Sequence, residues 1–98
     1  MAYSLEEEQR SIRSKTIDLL NLRGRGKTIC PSEVARYLFD ESAWREKMPL
    51  VREVAAKLVD QGLIEICQQG RKVDIERAKG PIWLRLSAPD YAPDYAPD

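Results

Sequence analysis

The chain has 98 residues, enough for one small domain but too few for a deep active-site cavity. Its sixteen basic and sixteen acidic residues give a formal net charge of zero, and it contains no histidine and only two cysteines. A zinc site normally needs four Cys or His ligands, and a Cys or Ser nucleophile usually takes its proton relay from His. The composition therefore predicts a protein that is not an enzyme and uses neither a metal nor a cofactor.

The two signs of charge are distributed unevenly. All sixteen Lys and Arg residues lie between Arg10 and Arg85, whereas six of the sixteen acids lie before residue 9 or after residue 87. Residues 9–87 thus carry sixteen positive against ten negative charges, a net of plus six. Such a basic body attracts polyanions by counterion release, which makes nucleic acid the leading class of partner. Solubility alone is the alternative explanation of these charges.

Neither end of the sequence resembles a membrane segment. The N-terminal MAYSLEEEQR lacks the basic region and apolar core of a signal peptide, and no apolar run approaches the length of a membrane span. We therefore expect a cytoplasmic protein. In that compartment Cys30 and Cys67 should be reduced, as small buried or half-buried residues.

The first half of the chain predicts three helices. A capping box formed by Ser4 and Glu7 opens the first, which should run from Leu5 to Leu22 and bury a stripe of apolar residues at helical spacing. That stripe comprises Leu5, Ile12, Thr16, Leu19 and Leu20. A second helix should begin at Pro31 and end at Phe39, since proline is harmless in a first turn.

The third helix follows a short turn around residues 43–46. It should begin at Pro49 and end at Gln61, with Gly62 as its stop signal. Its buried stripe is expected to comprise Leu50, Val51, Val54, Ala55, Leu58 and Val59. Trp44, between the second and third helices, is expected to close the core.

Beyond Gly62 the hydrophobic period changes to alternation. The pattern predicts two antiparallel strands, at residues 64–67 and 82–86, joined by a long basic hairpin loop at 68–81 that turns at Gln69–Gly70. A short strand at Thr28 and Ile29 would complete a three-stranded sheet. Three helices followed by such a hairpin predict an α+β winged helix, an elaborated helix-turn-helix, over residues 1–87.

The pattern resembles a small bacterial winged-helix family known as domain of unknown function 3253. The resemblance lies in KTICPSEVAR at 27–36, in Trp44 with MPLVREVAAKL at 48–58, in GLIEI at 62–66, and in KGPIWLRL at 79–86. It implies the fold and no activity, since the family's function is unassigned. The position of Trp83 is more often basic in the family pattern, so this chain lacks a charge that relatives present on the sheet.

One motif resembles a phosphate-binding loop but does not match its full pattern. Gly26-Lys27-Thr28 would end a phosphate-binding loop of the pattern Gly-x-x-x-x-Gly-Lys-Thr, but Asn21 occupies the position of the first glycine. The motif also follows a helix rather than a strand. We therefore expect no nucleotide site, and we interpret residues 24–28 as the connection into the helix-turn-helix.

The basic residues of the predicted loop and of the entrance to the third helix are the candidate nucleic-acid contacts. We expect a non-enzymatic module, a candidate transcriptional regulator, that binds duplex DNA mainly by phosphate contacts. The candidate residues are Arg45, Lys47, Arg52, Arg71, Lys72, Arg77 and Lys79, with Arg85 as an extension. The exposed face of the third helix also carries Glu53 and Asp60, which oppose nearby phosphates.

Those two acids suit an alternative function, a protein docking module. That module would use the face of the third helix together with Trp83, which alternates out of phase with the buried strand residues and should therefore be exposed as a partner contact. The sequence also leaves a homodimer open. The segment 88–98 repeats every four residues with a proline in each repeat, which predicts a disordered or extended low-complexity tail.

Overall fold

The structure is a computed structural model that describes residues 4–87, and the predicted tail at 88–98 lies outside them. The described residues form three α-helices, one 3-10 helix and four strands. In chain order these are α1 (Leu5–Arg23), β1 (Thr28–Ile29), α2 (Pro31–Leu38), the 3-10 helix (Trp44–Lys47), α3 (Met48–Asp60), β2 (Ile64–Gln68), β3 (Arg71–Val73) and β4 (Trp83–Leu86). The predicted α+β class is confirmed.

The capping box of α1 forms as predicted. The Ser4 hydroxyl accepts a hydrogen bond from the Glu7 amide at 3.1 Å, and the Glu7 carboxylate accepts one from the Ser4 amide at 3.0 Å. The predicted burial of Leu5 is wrong, since this side chain is 60% exposed. The first buried residue of α1 is Ile12, so the opening turns of the helix extend beyond the packed core.

The helix limits depart from prediction by one residue. The 3-10 helix leads directly into α3, which therefore begins at Met48 rather than Pro49 and ends at Asp60. Gly62 reverses the chain with a φ of 77°, a conformation that favours glycine, and the Leu63 amide donates to the Leu58 carbonyl at 3.0 Å. This reversal directs β2 back against α3, on which it packs.

The sheet has four antiparallel strands in the order β1-β4-β2-β3, one more than predicted. The pairing of β2 with β4 matches the predicted hairpin, and β1 adds to the other edge of β4. The prediction of one long loop at 68–81 is wrong, because residues 71–73 form β3 and pair with β2. The predicted turn at Gln69–Gly70 is confirmed; both residues have positive φ, 52° and 79°, as in the tight turns that match hairpin twist.

A single apolar core lies between the helices and one face of the sheet. Trp44 closes it as predicted and is 7% exposed. The fully buried side chains of this core include Ile12, Leu20, Ile29, Val34, Val51, Leu58, Ile64, Ile66, Ile82 and Leu84. None of the helices in residues 4–87 combines the length and the apolar composition that a membrane span requires.

Leu84 offers a test of this packing. Its side chain is fully buried, and Ile29 and Ile66 are its partners on the two neighbouring strands. We expect Leu84→Ala to lower the free energy of unfolding by about 2–5 kcal/mol, because it removes buried methyl groups and leaves a cavity. Leu22→Ala, at a position that is 83% exposed, should change it by less than about 0.5 kcal/mol in the same urea titration. Equal effects of the two variants would contradict the described core.

Candidate nucleic-acid interface

The segment that connects β2 to β4, residues 69–81, is named here the basic arm. It holds four exposed cationic side chains, those of Arg71, Lys72, Arg77 and Lys79. Within residues 4–87 none of the four forms an ion pair or a side-chain hydrogen bond. The arm therefore presents four positive charges outside any ion pair and, with the two acids Asp74 and Glu76, has a net charge of plus two.

The backbone of the basic arm is fixed at several points. The Gln68 side-chain amide donates to the carbonyls of Lys79 and Pro81, at 2.8 and 3.0 Å. The Asp74 carboxylate accepts the Glu76 amide at 3.0 Å, and the Asp74 carbonyl accepts that of Arg77 at 3.0 Å. Val73, Ile75 and Ala78 pack against the core. The cations therefore project from an anchored backbone.

A second group of cations surrounds Trp44. The guanidinium groups of Arg36 and Arg45 each lie 4.5 Å from the centre of the Trp44 ring. Such cation–π contacts hold a guanidinium in place without neutralising its charge. Arg45 was predicted as a contact, whereas Arg36 was missed. The available signal was the place of Arg36 in the last turn of α2, eight residues before Trp44.

Lys47 and Arg52, the other predicted contacts near α3, are less available to a phosphate than Arg45. The Lys47 ammonium lies 2.9 Å from the Glu8 carboxylate of α1, and both side chains are partly buried. A contact between Lys47 and a phosphate would require this ion pair to break. Arg52 is half-buried on α3 and forms no ion pair within the described residues. The exposed positions of α3 include Glu53 and Asp60, as predicted, so its surface is mixed in charge.

The sheet face that points away from the helices carries two rows of side chains. Strand alternation places Thr28, Arg85 and Glu65 in one row, paired across β1, β4 and β2. The Arg85 guanidinium lies 3.2 Å from the Glu65 carboxylate. Arg85, predicted to extend the basic patch, is therefore compensated by Glu65.

The second row lies nearer the basic arm and consists of Trp83, Cys67 and Lys72 on β4, β2 and β3. Trp83 is 42% exposed, which confirms its predicted exposure. Trp83 lines two hollows. The larger, of about 520 Å³, is also lined by Gln68, Gln69, Arg71, Val73, Lys79 and Pro81. The smaller, of about 230 Å³, is also lined by Thr28, Cys67, Gln69 and Gly70.

The two cysteines are free, as predicted, and differ in environment. Cys30 is half-buried and its sulfur accepts a hydrogen bond from the Ser32 hydroxyl at 3.0 Å. Burial raises the pKa of the Cys67 thiol above its ordinary value; the charge of Arg85 opposes this rise, Glu65 adds to it, and Lys72 opposes it. Residues 4–87 contain no group of three His, Cys, Asp or Glu side chains that could hold a metal ion.

The Gly-Lys-Thr motif lies in a turn that leads into a strand. The Lys27 amide donates to the Gly24 carbonyl at 3.3 Å, and Thr28 begins β1 at the edge of the sheet. A phosphate-binding loop has the opposite arrangement, since it follows a strand and opens a helix.

The sequence matches the family described as protein of unknown function (DUF3253) over residues 9–87. The chain belongs to this family. The matched residues include every strand and all of the basic arm, while the tail lies beyond them. No curated protein matches the sequence.

The environments of the two thiols predict that they react at unequal rates. The thiolate is the reactive form, so a raised pKa and burial should slow the reaction of Cys67 with a disulfide reagent at pH 8, while Cys30 reacts first. Because the folded protein holds the Cys67 proton more tightly than the unfolded chain does, this group's contribution to stability is complete below the ordinary thiol pKa and declines as the pH rises above it. Cys30→Ser should leave only the slow phase; a remaining fast phase would contradict this assignment.

Proposed function

We propose that the protein is a winged-helix module that binds duplex DNA, mainly through phosphate contacts, and acts without catalysis of its own. The element order supports the fold: three helices precede a β-hairpin, and a short strand between the first two helices joins the sheet. In such a module α3 lies at the major groove and the basic arm serves as the wing beside the neighbouring backbone.

The four cations of the basic arm, none of which forms an ion pair within residues 4–87, carry this proposal. Exposed Lys and Arg side chains without acidic partners gain most from phosphates, because no ion pair has to be broken and bound counterions are released from the DNA. Their anchored backbone lowers the entropy lost on binding. Arg36 and Arg45, held against Trp44 immediately before α3, supply further phosphate contacts.

The surface of α3 favours weak sequence selectivity. Arg52 is its candidate base or phosphate contact, whereas Glu53 and Asp60 repel the backbone. Phosphate contacts set position but carry no base information. We therefore propose a binder whose affinity comes chiefly from the backbone.

The alternative, a protein docking surface made of the α3 face and Trp83, is supported by the exposure of Trp83. However, α3 packs on the face of the sheet that Ile64 and Ile66 line, while Trp83 projects from the opposite face. The two parts of that surface are therefore separated by the sheet, and for this reason we favour DNA.

Charge reversal on the basic arm tests the DNA proposal. Wild-type protein should bind a fluorescent duplex at 50 mM salt and lose affinity steeply at 200 mM. Arg71→Glu with Lys72→Glu should weaken binding by at least tenfold for duplexes of unrelated sequence, and should flatten the salt dependence, because phosphate contacts are lost.

The matched control is Arg10→Glu with Arg13→Glu, which changes the net charge equally at two exposed positions on α1. This control should retain most of the affinity. If it loses as much as the arm variant, net charge rather than the arm governs binding; if wild-type protein binds no duplex at 50 mM salt, the proposed function is wrong.

The ion pair between Glu8 and Lys47 gives a test in the opposite direction. Glu8→Gln should release the Lys47 ammonium toward phosphate and raise duplex affinity by about twofold to fivefold at 50 mM salt, since one charged contact is added. Glu6→Gln removes the same charge from an exposed position and should have a smaller effect. If both variants gain the same duplex affinity, Lys47 does not contact DNA and is not part of the proposed interface.

A further inference from the structure

We propose that the larger hollow beside Trp83 binds one unpaired nucleotide, with the base stacked on the indole and its phosphates held by the basic arm. This inference rests on the proposed function and specifies which form of nucleic acid the arm prefers. The ligand class is a nucleic acid with a short single-stranded segment next to a duplex.

The lining of the hollow combines the groups that such a nucleotide requires. Trp83 supplies an exposed aromatic surface, and Val73 and Pro81 supply apolar contacts. Arg71 and Lys79 stand at the same hollow with no ion-pair partner within residues 4–87. Single-stranded nucleic acids are bound by this combination of an aromatic platform and a cationic groove.

The polar side chains of the hollow match the edge of a base. Gln68 uses its side-chain N–H groups on the Lys79 and Pro81 carbonyls, which leaves its amide oxygen as an acceptor. Gln69 lines both hollows and forms no side-chain hydrogen bond within the described residues. Its φ is 52°, a backbone conformation that Gly or Asn adopts at a lower energetic cost than Gln. The turn therefore carries a Gln side chain where its backbone geometry favours Gly or Asn.

Several classes of ligand can stack on an indole, and the charge of the larger hollow favours an anionic one. Neither hollow is lined by an acidic residue among those that the structure describes, whereas cations line the larger one. A cationic or neutral apolar ligand would leave Arg71 and Lys79 uncompensated. A base inside a duplex is stacked on both faces and cannot offer one to Trp83, so an unpaired base is the occupant that fits the hollow.

The experiment compares two DNA molecules with the same duplex, one blunt and one with a four-thymidine overhang. The full chain should bind the overhang form about tenfold more tightly, as expected for stacking of a base on an aromatic side chain. Addition of the overhang form should also quench the emission of Trp83, measured as the difference between wild-type protein and Trp83→Phe, since Trp44 remains in both.

Substitution of Trp83 should remove this preference. With Trp83→Ala the two DNA molecules should bind equally, while Trp83→Phe should retain part of the difference. The matched control is Tyr37→Ala, which removes an aromatic side chain that is 67% exposed on α2, and it should keep the full preference. Gln69→Asn, which suits the turn, should keep the fold and reduce the preference.

Each result has a defined consequence. Equal binding of both DNA molecules by wild-type protein would overturn this inference and leave the proposed function standing, whereas binding of neither would overturn both. A third arm uses a peptide of alternating Asp and Tyr residues. If this peptide quenches Trp83 emission and the overhang DNA does not, the hollow binds an acidic protein segment, and the proposed nucleotide site is wrong.

Discussion

The pairing of β4 with both β1 and β2 is the constraint on which the rest of the structure depends. Leu84 is fully buried between Ile29 of β1 and Ile66 of β2, so three apolar side chains from distant parts of the chain form one row across the sheet. Without β4, the strand β1 has no neighbour. The same strand follows the basic arm and carries Trp83. The four residues of β4 therefore contribute both to the apolar row of the core and to the candidate site.

The helices could be predicted from sequence because their signals are local. The capping box at Ser4, the proline at the start of α2 and the glycine at position 62 act within a few residues, and each is found where it was expected. The strand β3 could not be predicted, since its three residues are largely exposed and show no alternation. It exists because β2 offers it an edge, and that is a property of the assembled sheet.

In the candidate site, too, local features could be predicted from sequence and tertiary contacts could not. The basic arm and the exposure of Trp83 follow from composition and alternation, and both are present in the structure. The ion pair of Lys47 with Glu8 joins residues 39 positions apart, and the stacking of Arg36 on Trp44 depends on how the chain turns after α2. A list of basic residues therefore overestimates the available charge at one position and omits a cation at another, because charge compensation is decided by tertiary contacts.

The arrangement along β4 has a kinetic consequence. At one end of the strand Arg85 is compensated by Glu65, while at the other end Trp83 adjoins the unpaired cations of the basic arm. Among the cations of β3 and β4, those outside an ion pair therefore lie at the Trp83 end of the sheet. In the DNA binding proposed above, these charges would orient an approaching polyanion toward that end before any contact forms. The association rate would then rise at low ionic strength, while short-range contacts would set the dissociation rate.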